Sequence, residues 1–300
     1  MELPLHNDVL AAHPSLTYRK DGYSYSVATR NGRSTYVVSD GTNTVSIPIV
    51  WAMGAQAQTW VLERNGNLYE SRVSYYPSIH ALEITTGDEH MTPKNLEEAI
   101  GRPIGMDEAK ACFNCHSTNA LHDHQLDLKT VHPGLACQRC HVGAQAHAAG
   151  MLSGSPSAPI PPSLGKLQPE DMSNFCGQCH RSWETVVRAH WSGQADVRFQ
   201  PYRLVNSRCF NGADPRISCI ACHDPHQNVV RDISYYDAKC LACHSPSAAT
   251  AETATHPKSC PVAKSRCVSC HMPQEPLPNG LLRFTDHQIR IVKPNEPYPN

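Results

Sequence analysis

The chain has 300 residues, with 26 Lys and Arg against 27 Asp and Glu, for a formal net charge of −1. That balance excludes an electrostatic grip on nucleic acid or on an acidic membrane surface. Apolar residues make up 40%, with only five Phe and four Trp, and no run is long enough to read as a membrane span.

Residues 1–16, with His6 and His13, read as a leading segment that packs on the main body. No positive n-region followed by an apolar run opens the chain, so a signal peptide is not visible. From Tyr18 to about Ile84 the pattern is that of strands. Gly22 to Val27 and Ser34 to Val38 alternate around Asn31-Gly32, a strong hairpin signal. Val45 to Ile49 and Thr59 to Glu63 continue the series, and Asn65-Gly66 turns into Asn67 to Ser74. This predicts a small antiparallel meander or sandwich, a domain spanning 1–90, with no Cys. Its expected role is to cover one face of the cysteine-rich remainder of the chain; a docking surface is the alternative.

Thr92-Pro93 followed by Lys94 to Ile100 and Gly101 predicts a short helix with Thr92 as its cap. Asp107 to Ala111 begins another. Within 91–300, a lobe of 91–150 is followed by a Pro-, Ser- and Gly-rich linker, 151–166, and a second lobe, 167–300. Gln168-Pro169-Glu170 opens a helix, and Arg181 to Trp191 has a regular helical pattern.

The segment from Cys112 to His271 carries the pattern C-x-x-C-H six times. The first three copies are Cys112, Cys115 and His116; Cys137, Cys140 and His141; and Cys176, Cys179 and His180. The last three are Cys219, Cys222 and His223; Cys240, Cys243 and His244; and Cys267, Cys270 and His271. With 14 Cys and 18 His, random placement gives roughly 0.04 such matches. Zinc ribbons and thioredoxin-like pairs also use C-x-x-C, but neither explains a His after every second Cys. Each copy reads as a c-type haem attachment site, with two thioether sulfurs and a proximal imidazole. Six haems in about 160 residues would stand in for much of a conventional apolar core. Covalent attachment outside the bacterial cytoplasm predicts a periplasmic or extracellular protein, and therefore a longer precursor, truncated or processed before Met1.

The fold class expected is thus a mostly irregular and α-helical multihaem cytochrome c body with a small antiparallel β amino-terminal domain, low in secondary structure. Several segments resemble multihaem cytochromes c: Val197 to Leu204, Cys219 to His226, Cys267 to Pro273 and Phe284 to His287. The chain from Cys112 to Val292 is most similar to the superfamily of the nitrifiers' tetrahaem cytochrome, hydroxylamine oxidoreductase and pentahaem nitrite reductase. The β-rich part looks like an extension found in hexahaem members. That superfamily's nitrite reductases carry a C-x-x-C-K motif, which this chain lacks.

Filled distal positions need a second imidazole at each iron, since Met is scarce. Pro225 keeps His226 from curling back to its own motif, so His226 is expected on a neighbouring iron. His147 and His287 resemble distal ligands of the superfamily. His190, His256 and His13 are further distal candidates, with His90 and His124 for the first haem. His6, His80, His122 and His132 are expected to be ordinary side chains, and Met272 a packing residue. Cys209 and Cys260 lie outside every motif; in an oxidising compartment two leftover thiols most simply form a disulfide, the alternative being two reduced, buried thiols.

Two functions from different classes follow as expectations. The first is an electron carrier using six haems, with other redox proteins or copies of itself in a filament as partners, free or attached to a larger membrane complex. The second is a haem oxidoreductase acting on a small nitrogen or sulfur oxide at one open iron, at His116 or His180.

Overall fold

The computed structural model describes residues 1–155, 157–245, 260–278, 280–293 and 295–299. It is 32% helix and 25% strand, more regular than the low content expected. Two compact units divide at Met1–Pro162 and Ser163–Asn300. The division falls inside the 151–166 linker and not at residue 90. Among the described residues no helix is long and apolar enough to cross a membrane.

The first unit opens with α1 (Asp8–Ala12), capped by the Asn7 side chain, which accepts from the Leu10 backbone N–H at 2.9 Å. Its Leu10 is fully buried, so the leading segment belongs to the core. Seven strands then form an antiparallel sheet: β1 (Ser15–Lys20), β2 (Tyr23–Arg30), β3 (Arg33–Ser39), β4 (Thr44–Met53), β5 (Thr59–Arg64) and β6 (Asn67–Ser71) follow in order. Asn31-Gly32 and Asn65-Gly66 make the expected turns, each with two positive-φ residues that match strand twist. Asp21-Gly22 makes a third such turn (φ 55° and 83°), pairing Lys20 with Tyr23.

The stretch expected as one strand over Asn67 to Ser74 splits at Arg72. There β7 (Val73–Tyr76) leaves the sheet and pairs with β8 (Ala81–Ile84). That hairpin packs Val73, Tyr75, Leu82 and Ile84 into the same core as Tyr25, Tyr36 and Trp60 of the sheet. After α2 (Leu96–Ile100) the chain returns as β9 (Gly101–Ile104), antiparallel to β6. The sheet therefore recruits residues beyond the expected boundary at 90. Asn95, not Thr92, caps α2, its Oδ1 accepting from the Glu98 N–H at 2.9 Å. Pro103 is tolerated in β9 because an edge strand can lack one donor.

Then α3 (Met106–His116) is held to the sheet by Arg102, which bonds Glu108 at 2.6 Å and Glu70 at 2.7 Å. It is followed by α4 (Cys137–Cys140) and α5 (Ala144–Leu152). The second unit consists of α6 (Pro169–His180), α7 (Trp183–Arg188), α8 (Gln200–Val205), α9 (Cys219–Cys222), α10 (Ile233–His244) and α11 (Cys267–His271), with a short ladder of Gln274–Pro276 against Arg283–Thr285. The helix expected over Arg181 to Trp191 is shorter: Arg181 (φ 67°) and His190 (φ 52°) turn the chain, and Ser182 caps the helix by accepting from Thr185 N at 3.2 Å.

The units differ in how they are held together. Among the described residues the first buries 22 apolar side chains and the second six: Met172, Val186, Val197, Phe199, Leu204 and Leu277.

Candidate functional site

All six motifs occupy the same local structure, the last turn of a helix. α3, α6, α10 and α11 end on His116, His180, His244 and His271. α4 and α9 are single turns closed by the next residue, His141 and His223, whose N–H groups donate to Cys137 and Cys219 carbonyls at 2.8 and 2.9 Å. Positions i, i+3 and i+4 lie on one helix face. Two sulfurs and one imidazole are thus presented together at each helix end.

The motif cysteines differ in their access to solvent. In α3, Cys112 and Cys115 are both half-buried, as are Cys176 and Cys179 in α6. In α11, Cys267 is half-buried while Cys270 is exposed; in α4 the order reverses, with Cys137 exposed and Cys140 half-buried. Cys219 and Cys222 of α9, and Cys240 and Cys243 of α10, are half-buried. All fourteen Cys lie outside any disulfide. Cys209 and Cys260 are therefore not joined in the expected disulfide. Cys209 is half-buried, and burial with the nearby Cys222 and Cys243 pushes its thiol up; Cys260 is exposed. Residues 246–259, which lead to Cys260, lie outside the described residues.

Neighbouring motifs touch within each unit. In the first, Arg139 of the second motif donates from Nε to the Asn114 carbonyl (3.1 Å) and from Nη2 to Asn114 Oδ1 (3.2 Å), inside the first motif. Phe113, between Cys112 and Cys115, is fully buried with its ring edge-on to Trp51 of β4 at 5.7 Å. In the second unit a hydrogen bond from Cys176 holds the Cys219 thiol down at about 7 against the effect of burial. Burial, then the charges of Cys267 and Cys222, push Cys240 up to about 12. Asp237 of α10 accepts the backbone N–H groups of Arg266 and Cys267, both at 2.8 Å, and so caps α11. The third to sixth motifs therefore adjoin one another in chain order.

The histidines fall into distinct groups. His271, His147 and His287 each donate Nδ1–H to a backbone carbonyl: Arg290 at 2.8 Å, Pro159 at 2.8 Å and Thr285 at 2.9 Å. A carbonyl can only accept, so the neutral rings carry their lone pair on Nε2, the usual tautomer of a metal-ligating His. Burial, opposed by the Thr285 carbonyl, holds His287 down at about 4. Its ring centroid lies 6.1 Å from that of His223, at 36°. Burial lowers His180 as well, and burial together with the charge of His180 lowers His223.

The other distal candidates are placed differently. His226 is exposed, with Nδ1 3.2 Å from Asp224 Oδ1. His190 is exposed at a left-handed turn. His13 engages Tyr75 Oη through Nε2 at 2.8 Å, using the nitrogen a ligand would need. His256 lies outside the described residues. Among the described residues no three His, Cys, Asp or Glu side chains converge in a way that could hold a bare metal ion.

Sequence reasoning missed what holds His287. Asp286 beside it is fully buried and accepts from Arg203 Nε and Nη2, both at 2.9 Å. Arg290 Nη1 adds a third contact at 2.5 Å. Ser207 Oγ donates to the His287 carbonyl at 2.9 Å and accepts from Ile289 N at 2.8 Å. Both halves of the Arg203–Asp286 pair lie in segments singled out for resemblance, but nothing in either segment names the other.

No family model, curated protein or solved structure matches the chain.

Proposed function

We propose that this chain is a multihaem c-type cytochrome that carries electrons in the periplasm or outside the cell, with other redox proteins or further copies of itself as partners. The observation that carries the reading is the sixfold recurrence of two thiols and an imidazole on one face of a helix end, with neighbouring motifs adjoining inside each unit. The cysteine pairs would anchor haem, and His116, His141, His180, His223, His244 and His271 would supply the proximal nitrogen. Haem bound there supplies reversible one-electron chemistry at iron.

The chain's own contribution is spacing and rigidity. The Arg139–Asn114 bonds fix the first motif against the second, and Asp237 fixes the fifth against the sixth. The thin apolar core of the second unit also fits a body whose interior includes cofactor. His147 and His287, with Nδ1 on carbonyls, are suited to distal ligation.

Electron paramagnetic resonance of the oxidised protein separates a carrier from an enzyme. A carrier has both axial positions filled at every iron, so only low-spin signals are expected, and the reduced protein should bind no carbon monoxide. One stoichiometric high-spin iron that takes up carbon monoxide would replace this reading with a haem oxidoreductase.

A further inference from the structure

We infer that His287 is the distal ligand of the haem held by Cys219, Cys222 and His223. The inference rests on the haem reading above and adds a pairing that the sequence leaves open. In an imidazole the ligating nitrogen sits about 1.2 Å from the ring centre, and metal–nitrogen bonds to His run about 2.0–2.1 Å. Two imidazoles on opposite sides of one metal therefore have centroids about 6.3 Å apart. The His223 and His287 centroids are 6.1 Å apart.

The chemistry of His287 agrees with that spacing. Its Nδ1–H is committed to the Thr285 carbonyl at 2.9 Å, which aims the Nε2 lone pair away from its own backbone. The residue is also held on both sides. Asp286 is clamped by Arg203 and Arg290, and the His287 carbonyl accepts from Ser207 Oγ. A ligand fixed in this way meets the metal without having to be ordered first. The same segment reaches the sixth motif, where the Arg290 carbonyl accepts from His271 Nδ1 and the Arg290 N–H donates to the His271 carbonyl. One stretch, 285–290, thus orients a proximal His of the sixth motif and supplies a distal His to the fourth.

The test replaces His287 by Ala and by Met in the full chain purified with its haem, reading spin state and haem count separately. In H287A, mass spectrometry of the denatured protein should still count six haems. Electron paramagnetic resonance should move one iron from low to high spin, and the reduced protein should gain one carbon monoxide per chain. H287M should stay low-spin with one haem shifted to higher potential, as methionine ligation raises it; this variant decides the matter if H287A does not fold. The pairing itself is read in a Cys219→Ala/Cys222→Ala background, where adding H287A should create no new high-spin iron. Six low-spin haems in H287A, an unshifted potential in H287M, or a new high-spin iron in that background would each overturn the pairing while leaving the haem reading intact. A wild-type chain without haem would overturn both.

Discussion

Made without haem, the chain should keep its β-sheet and lose the fold of its second unit. The sheet closes over a core that includes Tyr25, Tyr36, Trp60 and Leu62, all at most 2% exposed, and its hydrogen bonds run through seven strands. Nothing in that core depends on a motif cysteine. The second unit has six buried apolar side chains among its described residues, against about 1–2 kcal/mol of backbone entropy for each residue ordered. Its helices α6, α9, α10 and α11 are short and all end on motif residues, so they would lose both packing and anchorage together. Hydrogen exchange on chain produced in a cytoplasm without haem attachment should show protected amides in β2–β5. Amides in α6, α8 and α10 should exchange as in an unfolded chain. Protection of those helices at the level of the sheet would mean that the second unit folds on protein contacts alone.

The second large effect is expected at Arg203 and Asp286. The pair is buried, at 1% and 0% side-chain exposure, with two parallel bonds of 2.9 Å. Removing one partner strands the other charge away from water, so R203M should destabilise the second unit by about 3–5 kcal/mol. Arg290 reaches the same carboxylate and would soften the loss, which places the effect toward the lower figure. Replacing both partners with apolar residues of similar volume should cost much less than R203M. The pH dependence has a definite sign. Burial alone would raise the Asp286 carboxyl, but the bonds from Arg203 and the Gln288 N–H, with the charges of Arg203 and Arg290, outweigh it and hold it low. A depressed folded value means the contribution is fully present above the unfolded carboxyl range, near about 3.9, and is lost as pH falls through the folded value. D286N should remove that acid-labile share. Denaturant titrations at neutral pH and at successively lower pH read both effects, and an R203M midpoint equal to wild type would contradict the assignment.

Much of the first unit is legible in the sequence because its signals are local. Asn31-Gly32 and Asn65-Gly66 specify turns whose φ angles few other dipeptides adopt, and the flanking alternation sets the register. Asp21-Gly22 carries the same signal and marks the start of the sheet three residues before Tyr18, at Ser15. The place of β9 is less legible, because a four-residue strand containing Pro acquires its identity from pairing with β6. The break at Arg181 is hidden for a similar reason: the apolar spacing of 183–191 looks helical, while Ser182 and the left-handed Arg181 restart the chain. At the site, the spacing C-x-x-C-H gives the donor set directly, since it is a single-turn feature. Exposure of the individual sulfurs is not local in this way: Cys115 and Cys179 are half-buried and Cys270 is exposed, although all three hold the same place in their motifs. The partners of each His are separated by long stretches of chain. Arg203 and Asp286 are 83 residues apart, and His223 and His287 are 64 apart by number, distances over which periodicity carries no information.

The mass of the denatured, purified protein tests the central claim most directly. Covalent attachment survives denaturation, so the chain taken from an oxidising compartment with haem-attachment machinery should weigh its polypeptide mass plus six haems. Each peptide carrying one of the pairs Cys112 and Cys115, Cys137 and Cys140, Cys176 and Cys179, Cys219 and Cys222, Cys240 and Cys243, or Cys267 and Cys270 should retain one. A polypeptide mass with no haem, or with disulfides closing those pairs, would contradict the account.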